Sequence, residues 1–224
     1  LMNLIEIVSA AIPLVIAGGL IGIIKYKFPK GNISSLKYAF IWGIIAGLAS
    51  VFIQYLAHWM NLDSLRSLKR MTFFAFIVVG GGQEFFKFLV LRFYALPKNS
   101  FKGSSDGIIY SIIIGMACCF VILIYYILSP TMKNLPYYNP MITTMGLVSV
   151  IFAIFMGFFT GLGKARKNKF VDSMTGLFAA AFIHGLYKFC FYTEEYTLGV
   201  IAAIAELIIA IILIIISVRT QEVS

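Results

Sequence analysis

The sequence predicts an all-α fold: a polytopic membrane helix bundle of about seven transmembrane helices, N-terminus outside and C-terminus cytoplasmic. Three observations predict it. Apolar residues make up 61% of the 224 and charged residues 12%, with a mean hydropathy of +0.95. A soluble domain is nearer half apolar and a quarter charged. The apolar residues also fall into seven runs of span length, where a hydrocarbon core of about 30 Å needs roughly 20 residues of helix. Finally, the basic residues gather in alternate loops. A soluble enzyme, a disordered tail and a disulfide-stapled secreted domain are excluded, and residues 1–224 read as one integral-membrane domain.

The first run, Asn3–Ile24, has no basic segment before it and no clear small-residue cleavage site after it. It therefore reads as a span and not as a cleaved signal peptide. Phe28-Pro29-Lys30-Gly31-Asn32 ends it. The second run is Tyr38–His58. The third, Thr72–Phe93, is closed by Leu96-Pro97-Lys98-Asn99-Ser100. The fourth, Gly107–Leu128, and the fifth, Met141–Gly163, are parted by a loop bracketed by Ser129-Pro130 and Asn139-Pro140. The sixth is Asp172–Tyr192 and the seventh Thr197–Ser217. All exceed the roughly 9–11 residues of a barrel strand, and Leu, Ile, Phe and Gly fill them without alternation. The short connections predict that sequential helices are antiparallel neighbours. Small residues recur every four positions at Gly107, Ser111, Gly115 and Cys119, and again at Ala153, Gly157, Gly161 and Ala165. Such faces let helices approach closely.

The loops orient the chain. Lys25, Lys27, Lys30 and Lys37 follow the first run; Arg92, Lys98 and Lys102 the third; Lys164, Arg166, Lys167 and Lys169 the fifth; Arg219 the seventh. The alternate loops hold only Arg66, Lys69, Arg70 and Lys133. The excess marks the cytoplasmic side. The partners expected are the lipid bilayer, with anionic lipid at the basic loops, and a second membrane protein. The net charge of +9 then needs no nucleic acid. The three cysteines, Cys118, Cys119 and Cys190, lie in apolar runs and read as packing residues. The outer-loop tyrosines Tyr137 and Tyr138 read as an interfacial anchor, and Glu194 and Glu195 as solvated.

Some charges fall inside the runs: Glu84, Lys87, Lys188 and Glu206, with His184 and Gln83 beside them. Ionisable groups in the membrane core are costly unless paired, and they point to function. Their depths match: His184 lies ~12 Å, Glu206 ~14 Å and Glu84 ~18 Å below the outer ends of their helices. Lys188 is one turn from His184, and Lys87 is at i+3 from Glu84. One buried polar layer joining runs three, six and seven is expected. Its bland reading is that paired charges fix helix register and that the histidine bonds a neighbouring helix.

The motifs carry a resemblance. Gly80-Gly81-Gly82-Gln83-Glu84-Phe85-Phe86-Lys87, Asp106-Gly107-Ile108-Ile109-Tyr110, Gly157-Phe158-Phe159-Thr160-Gly161 and His184-Gly185-Leu186-Tyr187-Lys188 stand one per helix. In this order the chain resembles the PrsW family of intramembrane proteases, regarded as glutamic-type, over about residues 70–190. The resemblance implies a catalytic set of Glu84, Lys87 and His184, with two adjacent acids holding and activating water. Four positions depart from it. Gln83 replaces the first acid of the family's E-E-x-x-K. Ile122 stands where F-x-x-x-E places an acid, Ser149 where a histidine is common, and Lys188 at the aspartate of H-x-x-x-D. Glutamine is no base, isoleucine binds no water, and lysine inverts the local charge.

Three readings follow. The leading one is a PrsW-like pseudoenzyme, a non-proteolytic binding or scaffold subunit in a bacterial-type plasma membrane. The second is an active intramembrane hydrolase cutting a membrane-anchored substrate with Glu84 and His184. The third is a transporter or channel using the charge layer. No cofactor or metal is expected: neither H-E-x-x-H nor an equivalent ligand spacing occurs, and His58 beside Trp59 reads as interfacial.

Overall fold

The computed structural model describes residues 2–27 and 33–222. The breaker Phe28–Asn32, with Lys30, lies outside the described residues. Among those described there is no strand, and seven helices are long and apolar enough to cross a membrane. They are α1 (Leu4–Lys27), α2 (Ile33–Trp59), α3 (Leu68–Ala95), α4 (Ser104–Leu128), α5 (Tyr138–Ala165), α6 (Lys169–Tyr192) and α7 (Tyr196–Glu222). Most helices outrun their apolar stretches by a turn or so. Hydropathy marks the part that lipid surrounds, whereas backbone hydrogen bonding continues into the interface.

The caps explain where several helices start and stop. Asn3 and Glu6 form a reciprocal capping box at α1: each side chain accepts from the other's backbone N–H at 2.9 Å. Ser129 caps a single turn, Pro130–Lys133, before α5. Asn139 and Pro140 do not close that loop, contrary to expectation. They sit in the first turn of α5, where proline's missing N–H would have been unpaired anyway. After α2 and α6, Asn61 and Glu194 take left-handed φ of 55° and 59°. The next residues, Leu62 and Glu195, bond back to Ala57 and Cys190 at 2.9 Å. These are Schellman ends built without glycine.

Helices α4 and α5 form the centre, each with 72% of its apolar window buried, while α7 has 17% and α1 22%. The α4–α5 seam is backbone on backbone: a methyl group at Gly107 or Gly157 would overlap the other's carbonyl oxygen. Gly161 meets Gly103 in the same way, while Ser111 and Gly115 line the buried face of α4 beside α5. Sequential helices are not all neighbours. Helix α2 packs mainly on α4, α3 mainly on α6, and α1 on α4 and α5. Small-residue faces decide this. A methyl on Gly43 would sit 2.7 Å from the Ala117 side chain, and one on Gly80 would sit 2.8 Å from the backbone nitrogen of Gly185.

Candidate functional site

The site is built where α3 meets α6. Helix α3 does not unwind at its glycine run. It widens into π-type turns over Phe74–Gly81 and returns to α-helix at Gly82. Such wide turns often flank functional residues. Gly80 and Gly185 let the two backbones come together, with the Phe76 ring laid against Gly185. One turn along α3, Glu84 then faces His184.

Glu84 is fully buried, and His184, Gln83 and Lys87 are nearly so. Oε1 of Glu84 accepts from the Lys87 ammonium and lies 2.7 Å from His184 Nδ1. A carboxylate only accepts, so His184 carries its proton on Nδ1 and donates. Phe152 of α5 stacks on the imidazole, with centroids 4.7 Å apart. Three atoms of this group meet no hydrogen-bond partner within the protein: Glu84 Oε2, His184 Nε2 and Gln83 Nε2.

Lys188 lies one turn beyond His184 and is wholly buried. Among the described residues no carboxylate pairs with it. Its ammonium reaches the Tyr126 hydroxyl at 3.5 Å and Met141 Sδ at 3.4 Å, and lies 4.7 Å from the Tyr126 ring centre. Ile122 is packed in apolar core on α4, and Ser149 is buried on α5.

Glu206 does not join the layer. No hydrogen bond or ion pair links it to another group among the described residues. Equal depth is not enough, because α7 packs against α5, α6 and α4 and makes no substantial contact with α3. The charge layer that a transporter would use is therefore not continuous.

A third buried acid stands outside the layer expected from the sequence. Glu6, 1% exposed, accepts from Tyr138 at 2.9 Å and pairs with Lys133 at 2.8 Å. The Asn3-x-x-Glu6 spacing of a capping box was the available signal. His58, read as interfacial, pairs with Asp63 at 2.5 Å. At the basic end, Lys164 caps α3 by donating to the Leu96 and Lys98 carbonyls, both at 2.7 Å. Arg92 donates to the Lys169 carbonyl at 2.7 Å. Both are thus drawn into the fold, while Lys25, Lys37, Lys102, Arg166 and Lys167 remain exposed.

A cavity of about 220 Å³ opens at the end away from the basic loops. Its lining includes Gln54, Phe74, Tyr125, Tyr126, Tyr137 and Tyr192, with His58 and Asp63 also on its wall. Burial, reinforced by Tyr196 and Glu194, pushes the Tyr137 phenol up to about 12, so it stays neutral. Glu84 and His184 do not line this cavity.

The family model described as PrsW family intramembrane metalloprotease matches residues 32–218, a longer stretch than the motifs alone covered. No curated protein and no solved structure matches the chain. The description implies a metal, and the residues do not fit one. A catalytic zinc takes three protein ligands and keeps a water. Among the described residues no three His, Cys, Asp or Glu side chains converge, and the Lys87 ammonium already holds the one carboxylate at the site. The seven apolar helices, the order of the motifs and a match over most of the chain lead to one conclusion: this integral membrane protein belongs to the PrsW family of intramembrane proteases.

Proposed function

We propose that this chain is a non-proteolytic member of its family, a binding or scaffold subunit of the membrane. The observation that carries the reading is the condition of Glu84. One oxygen serves both Lys87 and His184 in a sealed interior. Hydrolysis of a peptide bond needs a base for water and an acid for the leaving nitrogen, and paired carboxylates supply both by sharing a proton. Here the other acid positions hold Gln83, Ile122 and Lys188. Lys87 pairs with the remaining acid and His184 donates to the same oxygen, which leaves it a held anion. The basic end is assigned to the cytoplasm, where its exposed lysines and arginines favour anionic lipid.

A second reading, an active glutamic-type protease, draws on one observation. Glu84 Oε2 and His184 Nε2 are both acceptors without a protein donor, which is the pair of contacts a bound water would use. Reconstitution separates the two. In proteoliposomes carrying a membrane-anchored reporter, wild type and Glu84→Gln are expected to leave the reporter equally intact. Cleavage by wild type that Glu84→Gln abolishes would establish the second reading and end the first.

A further inference from the structure

The group around Tyr126 holds more hydrogen-bond donors than acceptors, and it borders the cavity. Tyr126 donates to Gln54 Oε1 at 2.9 Å. Its oxygen is approached by Lys188 at 3.5 Å. Gln83 lies near the same hydroxyl, yet its amide nitrogen finds no well-formed hydrogen bond. Gln54, 5% exposed, is part of the cavity wall, and its buried amide nitrogen meets no acceptor in the protein. Turning either amide over exchanges its oxygen and nitrogen without changing the number of donors. Lys188 adds further donors with no carboxylate near them among the described residues. A buried cation without a partner costs several kcal/mol, and a buried donor without an acceptor adds to that. An anionic acceptor placed at Gln54 and Tyr126 would relieve both.

The walls restrict what carries that acceptor. Phe74, Tyr125, Tyr137, Tyr192, Leu65 and Leu135 are apolar or aromatic. A volume of about 220 Å³ admits a compact body and excludes a lipid chain or a folded segment. One carboxylate, Asp63, also stands on the wall, paired with His58 at 2.5 Å.

We propose that this cavity binds a small monocarboxylate with an aromatic or compact apolar body. The carboxylate sits on the Gln54 amide and the Tyr126 hydroxyl, and Lys188 supplies the positive charge one hydroxyl behind them. Tyr126 turns its proton from Gln54 Oε1 to the ligand. The proposal goes beyond the reading above and stands whether or not Glu84 acts as a base.

The test uses the full chain in lipid nanodiscs and 4-fluorophenylacetate observed by fluorine NMR, with empty nanodiscs as background. Saturable line broadening is expected with wild type. Lys188→Met and Gln54→Leu should each weaken it by roughly tenfold or more, the loss typical of a charge-assisted hydrogen bond. The charge-reversed probe 4-fluorophenethylamine should not bind. Gln54→Leu removes no charge and carries the test alone if Lys188→Met does not fold. Three results overturn the proposal: no broadening beyond empty nanodiscs, binding of the amine as tight as that of the acid, or undiminished binding by the folded variants.

Discussion

Two buried polar clusters lie within a few helical turns of each other and differ in every respect that matters for chemistry. Around Glu84, one carboxylate meets an ammonium and an imidazole, and Glu84 and His184 do not line the cavity beside Tyr126. Around Lys188, an ammonium meets a phenol, a thioether and two aromatic faces, and its hydrogen-bonded phenol forms part of a cavity wall. The first pairs its ionisable groups with one another. The second leaves its amine without a carboxylate among the described residues. The difference teaches that a lysine at position 188 places a basic group in the interior that Glu84, already engaged with Lys87 and His184, does not pair with.

Four experiments break or sharpen that contrast. The largest effect is expected for Glu84→Ala, which strands Lys87 in the interior and should cost about 3–5 kcal/mol of stability. Unfolding measured in bilayers or bicelles would show it, and a loss below about 1 kcal/mol would mean that the ion pair contributes no more than an exposed one. Lys188→Met should have the opposite sign. An uncompensated charge gives way to an apolar chain of similar size, so stability should be unchanged or rise by about 1–4 kcal/mol. A marked destabilisation would show that Lys188 has a partner of real strength. Next comes a double-mutant cycle. Glu84→Gln with Lys87→Met should give a coupling of about 0.5–3 kcal/mol, whereas Glu84→Gln with Lys188→Met should stay below about 0.5. Equal couplings would merge the two clusters into one. The smallest effect is reserved for Arg166→Ala on the exposed basic end, within about 0.5 kcal/mol.

Much of this architecture was legible in the sequence, and the gaps have physical causes. The seven spans follow from hydropathy because lipid imposes length and composition at once. The meeting of Glu84 with His184 was anticipated from depth and from motif order. Depth is only one coordinate, however. It gives no angle about the helix axis, so Glu206 is grouped by height with residues that its helix does not pack against. Neighbours were misjudged for the same reason. Loop length says which helices can pack, but Gly80 against Gly185 and Gly43 against Ala117 decide which do. Glu6 escaped notice because an acid in the first turn of a span looks like a boundary residue, until its capping partner Asn3 and its distant partners Lys133 and Tyr138 are seen together. The cavity beside Tyr126 was not readable at all, since it is assembled from loops and helix ends far apart in the chain.

The central claim is that Glu84 is a sealed anion held by Lys87 and His184, and not an acid in exchange with water. Infrared difference spectra between wild type and Glu84→Gln, recorded in bilayers at neutral pH in H2O and in D2O, test it most directly. Carboxylate bands for Glu84 that do not respond to D2O are expected. A protonated carbonyl band that shifts in D2O would contradict it.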